Sequence, residues 1–492
     1  MKFAIIVPPV TCHNLDPHSG FPFIPHMAGY LASAISQKYK LQIIDAFSQN
    51  PHNLTKKKDL YFFGIDPNKI VDQIEEDVDG IFLYARTVID YEAILSIIKE
   101  IKSKTQKPVF IFENSQCVDG ISLKQVYEEL LNIGADVVIF GEPENRLDQI
   151  IELFFNNNDI NVQGIAHKLK NYIYKNLDTP YEKDLDKLNF PLWEKWPLSG
   201  YFSVNYAHPP IKKNDRFVTL ITSRGCPFRC NFCVAPETNP IWRFRSPKNV
   251  VDEIEYFSKK LGINDFHISD LNPTIKIPRF EEICKEIIKR NLKITWKIAQ
   301  GTKIETIKNK RTFDLFYKAG CRFLSFSPES GSENLMKKVI NKPFNFNTGV
   351  SAVKAMKKIG IKSQSCFVIG MPGETDLDRN LSFKYMLKLA IYGVDEVACY
   401  IITPVPGSKL YGEIHGYKSI SQLSHTPTWR KDIKKLLFFR YKFYISFILV
   451  KMLFHPISFI KMFYSIFSRN FETKMEMAFY KKFKFLKLSF LK

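Results

Sequence analysis

Short apolar runs alternate with amphipathic stretches through residues 1–165. The runs are KFAIIV, KLQIID, GIFLYA, PVFIF and ADVVIF, and helical patterns such as HMAGYLASAISQKY separate them. Runs of this length are typical of strands, whereas apolar residues three and four positions apart are typical of helices. Alternating strands and helices predict a parallel sheet covered on both faces, with ligands at the carboxyl ends of its strands. We therefore predict an α/β fold that begins with a Rossmann-like domain over residues 1–165.

The alternation weakens over residues 166–211 and resumes at residue 212. The weak segment holds five prolines, which favours an extended linker. The repeat that follows offers six strands, FVTLI, DFHIS, KITWKI, RFLSFS, SQSCFVI and EVACYII, with helical patterns between them. Ser246 is the predicted N-cap of the first helix, with Pro247 at its first position and Gly262 at its end. Six βα units predict a partial (β/α)6 TIM barrel over residues 212–412.

Strand signals stop after Leu410, and residues 413–492 are predicted to form a helical, basic and aromatic tail. Residues 430–492 contain 17 Phe and Tyr, and Pro456 divides the most apolar part into two helical stretches. The same residues carry fifteen Lys and Arg against three acidic residues, so +12 of the net charge of +20 lies there. Aromatic and basic residues interleaved in this way suit the headgroup region of a membrane. The alternative is a pair of helices packed on the barrel or on a second subunit.

Cysteine usage and hydropathy limit where the protein works. The nine cysteines are odd in number and only three of them cluster, which argues against a disulfide framework and favours a reducing cytoplasm. The first apolar run has five residues, too few for a signal peptide, and no stretch reaches 18 apolar residues. We expect a cytoplasmic protein, or one held peripherally on the cytoplasmic face of the membrane through residues 430–492.

The segment TSRGCPFRCNFC, residues 222–233, places Cys226, Cys230 and Cys233 in a CxxxCxxC pattern directly after a predicted strand. Three thiolates at this spacing in a loop can occupy three corners of an iron-sulfur cube. The fourth iron then has no protein ligand, and an open position of this kind distinguishes catalytic from structural metal sites. Zinc is the alternative, but a structural zinc site needs a fourth Cys or His, and residues 210–255 contain only these three.

This loop resembles the signature of the radical S-adenosylmethionine (SAM) superfamily, in which an aromatic residue precedes the last cysteine. HISDLN, SFSPESGSENLMKKVINK, FVIGMPGET and ITPVPGSKLY follow in the order of the superfamily's other motifs. Taken singly, the glycines of these motifs have an alternative explanation as turn residues, and the glutamate as a helix cap. The resemblance implies that the following residues lie near SAM: Phe232, Asp270, Asn272, Glu329, Gly370 and Gly373.

Members of this superfamily bind a 4Fe-4S cluster through the three cysteines, and SAM chelates the open iron. The resemblance implies that an electron from a donor such as flavodoxin or ferredoxin cleaves SAM to a 5′-deoxyadenosyl radical, which takes hydrogen from an unactivated carbon. The protein then has to orient the substrate and exclude water, because the cofactor supplies the reactivity. No catalytic residue beyond the cluster loop is assigned.

The N-terminal domain resembles that of the cobalamin-binding subfamily of these enzymes. PFIPHMAGYLASAI and ADVVIFGEPENRLDQII carry the resemblance, and the second contains Glu142 and Glu144 in a segment close to the subfamily's GEGE element. These two glutamates are the candidate cobalamin contacts. Pro143 replaces the second glycine of that element, and Glu113 and Asn114 stand where the subfamily has a glycine pair. The loop DPHSG, residues 16–20, is one residue short of the pattern that supplies an axial histidine in other cobalamin proteins.

The resemblance implies a methyltransferase that moves a methyl group from methylcobalamin to a carbon radical, and the tail favours a hydrophobic or lipid-type substrate. Without cobalamin, the same barrel could catalyse a cyclisation, a coupling or a desaturation. A tRNA methylthiotransferase needs a second cluster held by three cysteines in the N-terminal domain, which has only Cys12 and Cys117, so we expect no nucleic-acid partner. A non-catalytic protein that keeps the cluster loop as a fold element is the remaining alternative.

Overall fold

The computed structural model describes residues 1–13, 16–155, 162–169 and 172–490. Residues 14–15 and 156–161 of the predicted first domain, 170–171 of the predicted linker and 491–492 of the predicted tail lie outside the described residues. The N-terminal strands are β1 (Lys2–Val7), β2 (Val10–His13), β3 (Lys40–Asp45), β4 (Leu54–Lys57), β5 (Leu60–Phe63), β6 (Gly80–Ala85), β7 (Val109–Glu113), β8 (Val137–Ile139), β9 (Ile165–Leu169) and β10 (Tyr172–Asn176). The N-terminal helices are α1 (His26–Ser36), α2 (Ala46–Gln49), α3 (Tyr91–Lys104), α4 (Tyr127–Ile133) and α5 (Leu147–Phe155).

The N-terminal domain is built on a seven-stranded sheet of order β10-β9-β8-β7-β6-β1-β3. The five strands β3, β1, β6, β7 and β8 are parallel to their neighbours, as the alternating pattern predicts. Counted along the chain, their order is 2-1-3-4-5, so the topological switch point lies between β1 and β6. Ligands of open α/β sheets bind outside the carboxyl ends of the strands at such a point. The Rossmann-like prediction is confirmed.

Two parts of this domain were not expected from the sequence. The strands β9 and β10 form an antiparallel hairpin that extends the sheet to Asn176, so the sheet continues past the boundary predicted at residue 165. β2, β5 and β4 form a separate antiparallel sheet beside the parallel one. These strands are four or five residues long, and runs that short do not establish a period in the sequence.

The linker is packed firmly on the N-terminal domain. The indole Nε1 of Trp196 and the hydroxyl of Tyr201, in α6 (Ser199–Ser203), donate to Asp45 Oδ2 at 2.8 and 2.7 Å, and all three residues are buried. Trp193 packs against Gly29 of α1, where a side chain would collide with the indole ring. These contacts fix the chain's path from the first domain to the second.

The second domain is an open barrel of six parallel strands in the order in which they occur along the chain, as predicted. Ser246 caps the first long helix through Asn249 N, and Gly262 ends that helix in a left-handed conformation. The strands are β11 (Phe217–Leu220), β14 (Asp265–Ile268), β15 (Thr295–Thr302), β16 (Cys321–Glu329), β17 (Lys362–Ile369) and β18 (Glu396–Ile401), with a small pair β12 (Ser223–Arg224) and β13 (Arg243–Phe244). The helices are α7 (Ala235–Thr238), α8 (Pro247–Leu261), α9 (Ile277–Lys289), α10 (Arg311–Lys318), α11 (Glu333–Leu335), α12 (Phe346–Ile359) and α13 (Asp376–Ile391).

The tail consists of α14 (Ile433–Phe454), α15 (Pro456–Ser468) and α16 (Lys474–Phe490). The break predicted at Pro456 is confirmed, and the two helices it separates are bent by 116°. α14 packs on α13 and β18, and α16 packs on β18. No single helix in the described part of the chain is long and apolar enough to cross a membrane, although α14 and α15 pass that test as a bent pair.

Candidate active site

One large cavity lies between the two domains, and its empty volume is about 2100 Å³ counting the space open to solvent. Residues from the cysteine loop and from barrel strands β14 to β18 form one wall. Residues that follow β1, β6 and β7 at the carboxyl ends of the N-terminal sheet form the opposite wall. The carboxyl ends of both sheets therefore face one space, which is where ligands bind in each type of fold.

Hydrogen bonds to two other segments and a tight turn at Gly225 hold the cysteine loop in place. The amide of Cys226 donates to Asn239 O at 3.0 Å, and Asn231 joins the loop to Val339 and Ile340 through its backbone and side-chain nitrogens. Gly225, just before the first cysteine, has φ +81°, and a side chain there would collide with the carbonyl of Ile241. The loop's shape is therefore set by the chain itself.

Cys226, Cys230 and Cys233 are free, half-buried thiols that all line the cavity. Burial raises the pKa of Cys226 to about 11 and raises the pKa of the other two thiols, while Lys342 opposes the shift in each case. A bound cation is therefore needed to hold three thiolates here. Among the described residues, no three His, Cys, Asp or Glu side chains converge on a single-ion site.

Three of the residues predicted to lie near SAM line the cavity. Phe232 is half-buried beside the cysteines, and Asn272 accepts a hydrogen bond from Thr302 Oγ1 at 2.9 Å. Glu329 is buried with a left-handed backbone (φ +60°), and its carboxylate lies 2.6 Å from Lys342 Nζ. Burial raises the pKa of Glu329, whereas the glutamate and the thiolate of Cys230 raise the pKa of Lys342.

The other three predicted residues lie outside the cavity wall. Asp270 is fully buried behind the cysteine loop, where its carboxylate accepts hydrogen bonds from Thr222 and Ser223 at 2.6 to 2.7 Å. Gly370 has φ +80°, and a side chain there would meet Leu436 of α14 at 2.9 Å. Gly373 has φ +72° and an open surrounding, so both glycines are explained by backbone turns and helix packing. Their contact with SAM stays a prediction.

The two glutamates predicted to contact cobalamin form ion pairs that join the domains. Glu142 Oε1 lies 2.7 Å from Arg243, and Glu142 and Glu144 lie 3.3 and 3.0 Å from Arg224, two residues before Cys226. All four side chains are buried. Burial alone would raise the pKa of Glu142, but the two guanidinium groups hold it below its usual value. The GEPE element therefore supports the cluster loop, and its contact with cobalamin stays a prediction.

Unpartnered polar atoms lie at the carboxyl ends of the central N-terminal strands. Thr11 Oγ1 and one terminal nitrogen of Arg86 are buried without a hydrogen-bond partner in the part of the chain that the structure describes, and both residues line the cavity at the switch point. The other guanidinium nitrogens of Arg86 pair with Asp90 and Pro9 O. After β7, the side chains of Ser115 and Gln116 also have buried polar atoms without partners among the described residues. Buried polar groups without partners are costly, so we expect water or a ligand to supply partners at these places.

Glu113, at the end of β7, bridges the gap to β8. Its carboxylate accepts from the amides of Leu123 at 2.8 Å and Gly141 at 2.6 Å. Burial raises its pKa to about 7, although both backbone hydrogen bonds oppose that shift. The glutamate therefore fills the space that a glycine pair would leave open.

Several cavity residues were missed by sequence reasoning. Asp119 Oδ1 lies 2.7 Å from Cys117 Sγ, and its Oδ2 lies 3.4 Å from His425 Nε2. Lys474, at the start of α16, reaches the cavity and donates to Ala299 O at 3.0 Å. Gln300 Oε1 is buried on the barrel wall, where no described residue is its hydrogen-bond partner. No spacing signal marks these residues, because they come from four separate segments that only the fold brings together.

His18, in the loop DPHSG, lines the cavity with its ring against Tyr400, the centroids being 4.3 Å apart. Its Nε2 lies 3.3 Å from both Cys399 O and the hydroxyl of Tyr444. Burial lowers its pKa to about 3, so the imidazole is neutral. This nitrogen already has protein partners, which fits a locally bonded histidine.

Comparison with known families decides the identity of the second domain. Residues 220–386 match the family model described as the radical SAM superfamily. This chain carries a radical SAM domain. The matched region runs from the end of β11 into α13 and includes the whole cysteine loop.

Two relatives extend the comparison beyond the radical SAM domain. An uncharacterized methyltransferase of Pyrococcus horikoshii is 25% identical over 443 residues, which cover 88% of this chain and 86% of the relative. Cytidylyl-2-hydroxyethylphosphonate methyltransferase of Streptomyces wedmorensis is 29% identical over 262 residues, which cover 51% of this chain and 47% of that enzyme. Both relatives are named as methyltransferases.

The fold around the radical SAM domain also has a counterpart among solved structures. The radical SAM methyltransferase TsrM of Kitasatospora setae, solved with cobalamin and a 4Fe-4S cluster bound, superposes with a TM-score of 0.64 and 17% identity. The match covers 84% of this chain and 74% of TsrM. The arrangement of an N-terminal Rossmann-like domain before a radical SAM barrel is therefore a known fold.

Proposed function

We propose that this protein is a cobalamin-dependent radical SAM methyltransferase that methylates an unactivated carbon of a hydrophobic or lipid-type substrate. One observation carries the proposal: a single cavity is walled by the cysteine loop on one side and by the switch point of the N-terminal sheet on the other. The names of the two relatives, and the cobalamin and 4Fe-4S cluster bound to TsrM, support it.

The donor set fits a 4Fe-4S cluster held by Cys226, Cys230 and Cys233. Three thiols face one cavity, and Lys303 and Lys342 supply positive charge beside them. This charge compensates part of the negative charge that three thiolates bring to a half-buried site. Asn272 and Gln300 present amide groups from the neighbouring strands, where they can bind the polar groups of SAM.

The N-terminal wall fits cobalamin at the switch point. Cobalamin carries amide side chains around its ring, which both donate and accept hydrogen bonds. The unpartnered atoms of Thr11 and Arg86 at the cavity wall are partners that such a ligand needs, and Ser115 and Gln116 in the loop after β7 have further unpartnered polar atoms. Arg86 would keep its position in either case, because Asp90 holds it with two hydrogen bonds.

When bound, the cluster and SAM supply a carbon-centred radical and cobalamin supplies a methyl group. The chain's own residues bind, orient and exclude water. Arg224 locks the N-terminal domain to the cluster loop through Glu142 and Glu144, which fixes the distance between the two walls. The substrate's reacting carbon is thereby held between them, where positioning contributes most to the rate.

The cavity lining supports a hydrophobic substrate. Its apolar side chains come from both walls, namely Val10, Phe21, Phe23, Ile89, Val118, Phe228, Leu271, Val368, Ile402 and Val405. Apolar pockets with a few well-placed polar groups are typical of sites for small molecules. Polar side chains also line the cavity, among them Asp119, Gln300 and Lys474, and they are available to orient the substrate's polar end.

A second candidate is a radical SAM enzyme that works without cobalamin, such as a cyclase. The observation that favours it is Glu113, whose carboxylate fills the gap between β7 and β8 with two backbone hydrogen bonds. A cofactor tail cannot enter that gap without displacing the glutamate. Cobalamin content therefore discriminates between the candidates.

The test is anaerobic reconstitution with iron, sulfide and hydroxocobalamin, followed by metal analysis and turnover with reductant and methyl-deuterated SAM. We expect about four irons per chain, lost in a variant with Cys226→Ala, Cys230→Ala and Cys233→Ala, and one cobalt per chain retained in that variant. We also expect 5′-deoxyadenosine and S-adenosylhomocysteine in equal amounts, because each methylation uses one SAM for hydrogen abstraction and one for the methyl group.

Other outcomes point elsewhere. Iron and 5′-deoxyadenosine without cobalt or S-adenosylhomocysteine would establish the second candidate. If the wild type takes up no iron under conditions that load a control radical SAM enzyme, both candidates are wrong.

A further inference from the structure

The outer surface of α14 and α15 is densely apolar. Of the 26 large hydrophobic side chains exposed among the described residues, 12 lie within these two helices. The exposed fraction reaches 74% at Phe438, 73% at Tyr464 and 84% at Phe467. The apolar face consists of Phe438, Tyr441, Ile445, Leu449, Met452, Leu453 and Phe454 on α14 and Ile457, Ile460, Phe463, Tyr464 and Phe467 on α15.

The apolar face is a continuous stripe and not a scatter of single residues. On α14, Phe438, Tyr441, Ile445, Leu449 and Met452 recur every three or four positions, which places these five on one side of the helix. Leu453 and Phe454 follow at the end of α14, next to the bend into α15. The opposite side, with Leu436, Phe443 and Phe447, is buried against the barrel. A helix that is apolar on both sides needs two apolar surroundings. The barrel provides one, and the apolar face is left for another.

Every charged residue between Ile433 and Ser468 is basic. Lys434, Lys435, Lys442 and Lys461 are exposed at the edges of the apolar face. Long lysine side chains can lie along an apolar surface and keep the ammonium group in a polar layer. Lys435 also pairs with the exposed Asp376 of α13 at 2.9 Å, but no acidic residue lies on the two helices themselves. Apolar side chains flanked mainly by lysine complement a surface that is apolar below and negatively charged above, as the interface of an anionic bilayer is.

The inner side of α14 argues against a membrane span. Arg440 donates to Thr426 Oγ1 at 3.0 Å, and Lys451 Nζ donates to Asp395 O at 2.6 Å. A span would remove both charges from these partners and place them in hydrocarbon, which is costly. A helix lying in the plane of the interface keeps the barrel on one side and lipid on the other.

We propose that the apolar face docks on the interfacial region of an anionic phospholipid bilayer. Helix α14 also contacts the cavity wall, because its Tyr444 hydroxyl lies 3.3 Å from Nε2 of His18. The docked face is thus about one helix diameter, roughly 10 Å, from the cavity. Given the proposed function, this brings the cavity next to a lipid-type substrate, while the docking itself does not depend on that function.

The test is flotation of the full-length protein with vesicles of phosphatidylcholine, alone or mixed with phosphatidylglycerol. We expect binding to the mixed vesicles that weakens as salt is raised. Tyr464→Ser with Phe467→Ser should reduce the partition coefficient at least about tenfold, because two large apolar side chains no longer enter the interface. Tyr172→Ser with Ile288→Ser is the matched control, since these residues are also exposed (72% and 42%) but lie elsewhere, and it should bind like the wild type.

Sedimentation velocity without vesicles tests whether a second copy of the chain covers the apolar face. A dimer that Tyr464→Ser with Phe467→Ser converts to monomer would overturn the proposal, as would failure of the wild type to float with mixed vesicles. Iron content after reconstitution verifies that each variant is folded. Loss of flotation with 5′-deoxyadenosine production intact separates failure of docking from failure of the proposed function.

Discussion

Arg224 is a single buried cation placed where the N-terminal domain meets the cluster loop. Its guanidinium lies 3.3 Å from Glu142 and 3.0 Å from Glu144, and it also covers the ring of Tyr30 at 4.5 Å. Glu142 has a second partner in Arg243, whereas the ion pair of Glu144 is with Arg224. A charge removed here leaves an uncompensated buried carboxylate.

We expect Arg224→Met to lower the free energy of unfolding by roughly 3–5 kcal/mol, the usual cost of breaking a buried ion pair. Urea unfolding followed by circular dichroism measures it. The control adds Glu144→Gln alone to Arg224→Met, which removes the unpaired charge and should recover part of the loss, while Glu142 keeps its ion pair with Arg243. Equal stability of Arg224→Met and the wild type would contradict a structural role for the pair.

His425 and Asp119 form an ion pair whose strength depends on pH. Burial would lower the pKa of His425, but Asp119 and Asp16 raise it above its usual value. Because its folded-state pKa is raised, His425 stabilises the fold fully below about pH 6.5, and that contribution is lost as the pH rises through the folded value. The pKa of Asp119 is lowered by His425 against the effect of burial, so its contribution is lost only as the pH falls through that lowered value.

We therefore expect His425→Gln to cost more stability at about pH 6 than at about pH 9, by roughly 1–2 kcal/mol. Urea unfolding of both proteins at the two pH values measures the difference. The same cost at both values would mean that the folded protein holds His425 neutral throughout.

Helix α14 packs against the end of β17 at Gly370. This contact between two elements depends on the absence of a side chain at residue 370. A methyl group at Gly370 would lie 2.9 Å from Leu436 on a backbone with φ +80°. We expect Gly370→Ala to lower the free energy of unfolding by roughly 1–3 kcal/mol, from backbone strain and displacement of the helix. Gly412→Ala is the control, because nothing lies within 4 Å of that position, and it should change stability by less than about 0.5 kcal/mol. Chemical denaturation of both variants decides the matter, and equal costs would show that Gly370 has no packing role.

The elements themselves were largely predictable, and the site was predictable in part. All eleven apolar runs of the two repeats are strands, because each is flanked by polar segments and long enough to show its pattern. Cys226, Cys230 and Cys233 were found because their spacing is itself the signal. Lys474 was missed, since a lone lysine on a basic helix looks like a solvated side chain until the helix is placed on the barrel.

Some residues were found by motif but placed differently by the structure. Glu142 and Asp270 stand out in the sequence, yet their carboxylates are engaged by Arg224 and Arg243 and by Thr222 and Ser223, respectively. A motif gives the position of a side chain along the chain and not the direction in which it points. Only the packed domains reveal that both residues support the loop from behind.

At the scale of the whole molecule, the cavity joins the two domains, so its ligands should stabilise them together. We expect hydroxocobalamin at a hundredfold excess over its Kd to add roughly 2.7 kcal/mol, with a higher Tm in a scan of the reconstituted protein. Hydroxocobalamin carries no methyl group, and its binding stabilises the protein without any turnover. The measurement is therefore independent of activity. An unchanged Tm at saturating cobalamin would contradict binding in this cavity.

The residues that wall the cavity are synthesised at very different times. Val10 and Lys474 line the same space although 464 positions separate them along the chain. At about 5–20 residues per second, a ribosome makes the second roughly 20–90 seconds after the first. We therefore expect the switch point and the cysteine loop to be made well before the wall that Lys474 completes, so the full cavity forms only after α16 has left the ribosome.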